Sequence, residues 1–116
     1  MKMGDLSAHF SKHEFRSRDG AEHPIDPRLI EMLERVRAHF NSAVIITSGY
    51  RSPEYNRKVG GARNSYHTKG MAADIQVRGV HPREVYAFCD REFANGGVGQ
   101  YKTFTHVDCR GHKARW

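Results

Sequence analysis

The sequence predicts an α+β domain in which helices pack against a small, mainly antiparallel sheet. Two observations carry this. Two segments of helical period each open on a proline, at Asp26-Pro27 and at His81-Pro82. Around them lie short runs that are β-branched or alternate in polarity, at 43–47, 72–77 and 104–108. With 116 residues the chain can build one modest core. No internal repeat, linker or second domain is evident. We read residues 1–24 as an arm packed on a domain that spans 25–116.

Each element has a local cause. Residues 4–22 are polar, with Leu6, Phe10 and Phe15 as apolar anchors, and Ser11 stands three residues ahead of Glu14 in a weak capping-box pattern. An irregular arm with at most one helical turn is expected. Asp26 suits an N-cap, and Pro27 suits the first helical position, where no internal amide donor is needed. Leu29, Ile30, Leu33, Val36 and Phe40 then recur at helical spacing, and Asn41-Ser42 ends the helix. Ala43 to Thr47 reads as a buried strand, followed by a turn through Ser48-Gly49-Tyr50-Arg51-Ser52. Pro53 opens a short helix, and Gly60 to Ser65 is a loop. In the strand Ala72–Val77, a period of two puts Ala73, Ile75 and Val77 on one face and Asp74 and Gln76 on the other. Pro82 opens a second main helix with Val85, Tyr86, Phe88, Cys89 and Phe93 buried, and Asn95-Gly96-Gly97 stops it. Two strands follow, 98–101 and 104–108, joined by Lys102-Thr103, a pair poorly suited to a tight primed turn. Arg110 to Arg115 reads as a polar, basic tail, and Trp116 either packs back or stands exposed.

Composition excludes some function classes. Nineteen Lys and Arg against thirteen Asp and Glu give a net charge of +6, which attracts polyanions without choosing among them. The basic residues are scattered, with no recognition-helix or zinc-finger pattern, so a specific nucleic-acid partner is not expected. No apolar run reaches the roughly 18 residues of a membrane span. Cys89 and Cys109 form neither a Cys-x-x-Cys redox pair nor a four-cysteine frame, and Cys89 falls on the buried side of its helix.

Chemistry concentrates in two segments. His67 and Asp74 stand seven residues apart with Gly70 between them, and His106 lies on the last long strand with Asp108 on the same face. Six intervening residues suit neither one helical face nor one straight strand. A bend is required, and Gly70 gives the backbone freedom for it. If His106 faces Asp74 across the sheet, two imidazoles and a carboxylate converge as a zinc site with a fourth position open. Spacing alone leaves open the plainer alternative of surface histidines and a turn-capping aspartate.

The segments His67-x-x-Gly70-x-Ala72-x-Asp74, Gly97-Val98-Gly99-x-Tyr101 and Phe104-x-His106-x-Asp108, with Ser48-Gly49-Tyr50-Arg51-Ser52 before them, resemble the M15 peptidases. These are zinc D-Ala-D-Ala carboxypeptidases and related peptidoglycan endopeptidases, which share a fold with the hedgehog signalling domain. The resemblance implies that fold, a zinc cofactor held by His67, Asp74 and His106, and a peptidoglycan peptide as substrate. It implies that Arg51 binds substrate, gripping a carboxylate or the developing oxyanion. Many members carry an acid three residues before the last histidine, where this chain has Thr103, and a hydroxyl is a poor base near neutral pH. Asp108 is then either the catalytic base or the group that orients His106. The implied reaction is hydrolysis of D-alanyl amide bonds, by carboxypeptidase or endopeptidase action. The alternative is a non-catalytic zinc module of the cell wall. The expected protein is a monomer without membrane insertion. Its N-terminus has no apolar h-region, so synthesis in the cytoplasm is expected, with access to the wall by phage lysis, a tail or another export route.

Overall fold

The computed structural model describes residues 4–116, so Met1 to Met3 of the arm lie outside the described residues. Helix α1 spans Pro27–Phe40; the Asp26 side chain accepts the Arg28 amide at 2.9 Å, and Asn41 closes the helix in the left-handed region. Strand β1 is Val44–Ser48 and α2 is Pro53–Lys58, with the Ser52 hydroxyl capping the Tyr55 amide. Strand β2 is Ala72–Val77. Helix α3 is Pro82–Glu92, with His81 as its N-cap, accepting from the Arg83 amide at 3.0 Å. Strands β3 (Gly97–Gln100), β4 (Thr105–Asp108) and β5 (Ala114–Arg115) complete the chain.

The sheet runs β1-β2-β4-β3-β5. Its pairings are antiparallel except β3 with β5, which is parallel. The polar tail read from the sequence is therefore an edge strand: Trp116 donates its amide to the Val98 carbonyl and accepts from the Gln100 amide. A two-residue strand in a basic segment carries no hydrophobic alternation, so nothing local announces it.

One face of the sheet is covered by α1 and α3. Leu29, Leu33 and Val36 of α1 and Val85, Phe88 and Cys89 of α3 pack with Ala73, Ile75, Val77, Val98 and Val107. Alternation along β2 then turns Asp74 to the other face. The arm also reaches the core: Phe10 and Phe15 are buried in it. Phe15 accepts the Tyr50 amide at 2.8 Å, and Gly49 lies so close to the Phe15 backbone that a side chain there would collide. Ser17 accepts the Ser52 amide, and Ser52 hydrogen-bonds Asp19. The arm thus pins the β1–α2 turn that carries Arg51. Both cysteines are buried and free; burial pushes the Cys89 thiol up to about 12.

Leu33 is fully buried and Ile45 is 42% exposed. Leu33→Ala should cost about 2–5 kcal/mol of stability, through lost burial and the cavity left behind. Ile45→Ala should cost less than about 1 kcal/mol. Urea unfolding of both variants checks this, and comparable losses would contradict the packing described.

Candidate metal centre

Three elements deliver the side chains. His67 sits in a single 3-10 turn, Tyr66–Lys69, whose start is capped by the Ser65 hydroxyl accepting the His67 amide. Gly70 ends the turn at φ 68°, and a side chain there would run into the Pro24 carbonyl, so position 70 requires glycine on both counts. The reversal returns the chain into β2. There Asp74 is the cross-strand partner of His106, with Ser48 and Gly99 on the outer strands of the same row.

The three groups meet. Asp74 Oδ1 lies 3.3 Å from His67 Nε2 and 3.0 Å from His106 Nδ1. One donor atom from each residue lies within 4.8 Å of the others, and all three residues are buried. The far nitrogens decide the tautomers. His67 Nδ1 is 2.7 Å from the Gly49 carbonyl, and His106 Nε2 is 2.7 Å from Asp108 Oδ2. Both partners only accept, so each imidazole holds a proton on its far nitrogen, and its near nitrogen would be the one to ligate a metal shared with Asp74. In a tetrahedral shell with ligands at ~2.0–2.1 Å, neighbouring donors stand about 3.3 Å apart. The residues present therefore fit a zinc ion.

Without a metal, Asp74 and Asp108 favour a proton on both nitrogens of His106, and a bound ion would take the place of the near one. Burial raises the Asp74 carboxyl, but hydrogen bonds from His106 and His67 outweigh it and hold it at about 2, so it is ionised and ready to ligate. Burial lowers the His106 imidazole, but Asp108 and Asp74 together carry it above its ordinary value. Burial opposes ionisation of Asp108 as well, and Arg110 with His106 holds it far below the usual carboxylate range.

Asp108 is 0% exposed and stands behind His106. Its Oδ1 accepts from the Gly97 amide and from Arg110 Nε, and its Oδ2 faces His106 and Arg110 Nη2. It does not line the groove over the metal residues. Of the two roles the sequence left open, this placement favours the orienting one: Asp108 is sealed behind the His106 imidazole, at its far nitrogen, and does not face the groove. Position 97 accommodates it because a side chain on Gly97 would overlap the carboxylate.

Arg51 does line the groove. Its Nη2 is 3.4 Å from Asp74 Oδ2, Nε is 3.1 Å from the Ser48 hydroxyl and Nη1 is 3.3 Å from Asn56 Oδ1. Tyr101 also lines the groove, stacked on Phe104, whereas Gln100 does not. Thr103 lies in the exposed β3–β4 connection, where its carbonyl accepts from Gln76. Sequence reasoning passed over Arg110 and Trp116, which wall the groove beside His106. The groove holds about 610 Å³ and is open to solvent.

The family model described as peptidase M15 matches residues 7–108. The chain belongs to the M15 peptidase family. Zinc is the metal that this family and this donor set share. The chain is 35% identical over 96 residues to the probable peptidoglycan L,D-endopeptidase MepK of Haemophilus influenzae, covering 74% of this chain and 51% of that protein. It is 34% identical over 93 residues to the peptidoglycan L,D-endopeptidase MepK of Escherichia coli K12, covering 72% and 50%. It thus spans about half the length of the curated relatives it matches. Among solved structures, the vancomycin-resistance D,D-pentapeptidase VanY in complex with Zn(II) aligns at TM-score 0.45 and 22% identity, over 69% of this chain and 61% of that one.

His67→Ala and Asp74→Asn should abolish stoichiometric zinc. Asp108→Asn should weaken zinc about 10–100-fold, because the acceptor that orients His106 loses its charge, and with it the ion pair to Arg110. Competition with a chromogenic chelator measures all three, and unaltered affinity in Asp108→Asn would remove its orienting role.

Proposed function

We propose that this chain is a zinc peptidase that hydrolyses amide bonds in peptidoglycan peptides, and that it acts as an endopeptidase. The observation that carries the reading is the convergence of His67, Asp74 and His106 in an open groove that also holds Arg51. An open groove suits a peptide that continues past the scissile bond on both sides. The names of the relatives favour a bond between an L- and a D-residue. The D-alanyl bond to which the family resemblance points is the finer alternative.

When bound, zinc supplies Lewis acidity toward a carbonyl and toward water. The rest falls to the chain. The Gly49 carbonyl and Asp108 keep the imidazole protons on the far nitrogens, leaving the near ones free to ligate. Arg51 is held by Ser48, Asn56 and Asp74, so its positive charge is already in place where negative charge develops on the attacked carbonyl oxygen. Its guanidinium also suits a substrate carboxylate. Asp74 is the one carboxylate that lines the groove among the described residues. That lack of a second acid is the observation favouring the rival reading, a non-catalytic zinc module.

Mass spectrometry of purified peptidoglycan fragments, after incubation with zinc-loaded protein and with a chelated control, tests the reading. Chelator-sensitive splitting of crosslinked dimers is expected. Loss of a single terminal alanine would make the enzyme a carboxypeptidase, and no product from folded, zinc-loaded protein would favour the non-catalytic module. Arg51→Ala should lower kcat/KM by about 10²-fold or more while zinc stoichiometry holds. Equal turnover would remove Arg51 from the chemistry.

A further inference from the structure

Beside His106 the wall of the groove carries a second arginine, Arg110, packed on Tyr66 of the His67 turn and paired with Asp108 behind it. Arg110 lines the groove with Tyr66 on one side of the wall's sequence of contacts and Trp116 on the other. Its guanidinium carbon stands 4.5 Å from the Tyr66 ring and 5.1 Å from the Trp116 ring. Nε and Nη2 are spent on Asp108, at 2.8 Å each. Nη1 has no hydrogen-bond partner among the described residues. Among the described residues no fully buried side-chain nitrogen or oxygen lacks a partner, so Nη1 keeps some access to solvent, and Arg110 lines the groove.

The surroundings hold this arginine still. Two contacts to a fully buried carboxylate fix the plane of the guanidinium, and two aromatic rings cover it. Trp116 is itself fixed, with its indole nitrogen donating to the Tyr101 hydroxyl at 2.8 Å and its ring 4.9 Å from that of His106. The ring rests over Gly99, where a side chain would collide with it. Yet Trp116 remains 45% exposed and Tyr101 42% exposed, so both present apolar surface to whatever lies in the groove.

The charges in the groove select the ligand. Its lining has two arginines, Arg51 and Arg110, and one side-chain carboxylate, Asp74; Asp108 behind the wall pairs with Arg110 through Nε and Nη2, so Nη1 is the donor left for a ligand. Every nitrogen of Arg51 has a protein partner, whereas Nη1 of Arg110 has none. The wall continues past Arg110 in both directions, through Tyr66 and Ser65 and through Trp116, Tyr101 and Phe104. A peptide lying along it would pass Arg110 with a side chain rather than end there.

Building on the peptidase reading, we infer that Arg110 is a second anionic subsite, which binds a side-chain carboxylate of the peptide while Trp116 packs on the stem of that side chain. The substrate class narrows to peptides that carry a free acid on a residue next to the scissile bond. Amidation of that acid converts a charge-assisted contact into a neutral one and weakens binding.

Trp116 is the single tryptophan of the chain, so its fluorescence reports occupancy of this wall without any turnover. Zinc-loaded protein is titrated with a soluble stem tetrapeptide whose diamino-acid residue has a free carboxylate, and with the same peptide amidated at that carboxylate. The acid should bind about tenfold or more tightly than the amide. Arg110→Gln, with zinc content verified, should bind the two alike. If that variant loses zinc, Arg110→Lys replaces it: the ammonium keeps a charge against Asp108 but has no second arm for a ligand, and the preference should again disappear. Equal binding of acid and amide by the native protein would overturn the inference. So would a preference that survives in the Arg110 variants, or a fluorescence unchanged by either peptide. Hydrolysis is followed separately, so a charge preference without cleavage would reject the peptidase reading and keep the subsite, while cleavage without a charge preference would do the reverse.

Discussion

Everything in the candidate centre depends on one cross-strand pairing, Asp74 opposite His106. The row continues to Ser48 on one side, which holds Arg51, and to Gly99 on the other, which seats the Trp116 ring. A slip of one residue between β2 and β4 would send Asp74 or His106 into the helix-covered core. The core prevents it. Ala73, Ile75 and Val77 are buried under α1 and α3, so the apolar face of β2 locks the register that its polar face uses. Packing on one side of the sheet thus places chemistry on the other.

The second layer around the trio is as specific as the trio itself. A lone pair on each near nitrogen requires a proton on each far one, and the Gly49 carbonyl and Asp108 supply the acceptors. Each of these is positioned in turn. Phe15 of the arm packs under Gly49, and the Gly97 amide and Arg110 hold Asp108. The arm is therefore joined to the site mechanically, and the family match includes it from residue 7 onward. Small residues matter for the same reason: Gly97 leaves room for the Asp108 carboxylate, and Gly99 leaves room for the Trp116 ring.

Much of this architecture was legible in local patterns. Asp26-Pro27 and His81-Pro82 start helices where the structure has them, because proline at the first turn and a side-chain acceptor before it act within a few residues. The alternation of Ala73, Asp74, Ile75, Gln76 and Val77 reads as a strand with one apolar face for the same reason. Asp108 was half legible: its spacing from His106 placed both on one strand face, but whether it looked into the groove or away from it depended on what packs around it. Edge strand β5 was illegible, since two residues carry no period. Arg110 and Trp116 read as a basic tail because their roles come from rings and strands far off in sequence.

By itself, the sequence determined the main helices and the longer strands, the apolar face of each, and the residues able to ligate a metal, because capping, periodicity and side-chain chemistry are properties of short stretches. Only the tertiary structure decided how His67 and His106 approach Asp74, which imidazole nitrogen faces it, and that Arg110 joins Arg51 in the groove lining. Those outcomes rest on strand register and on close approaches such as Gly99 beneath Trp116, where residues distant in the chain meet at distances no local pattern encodes.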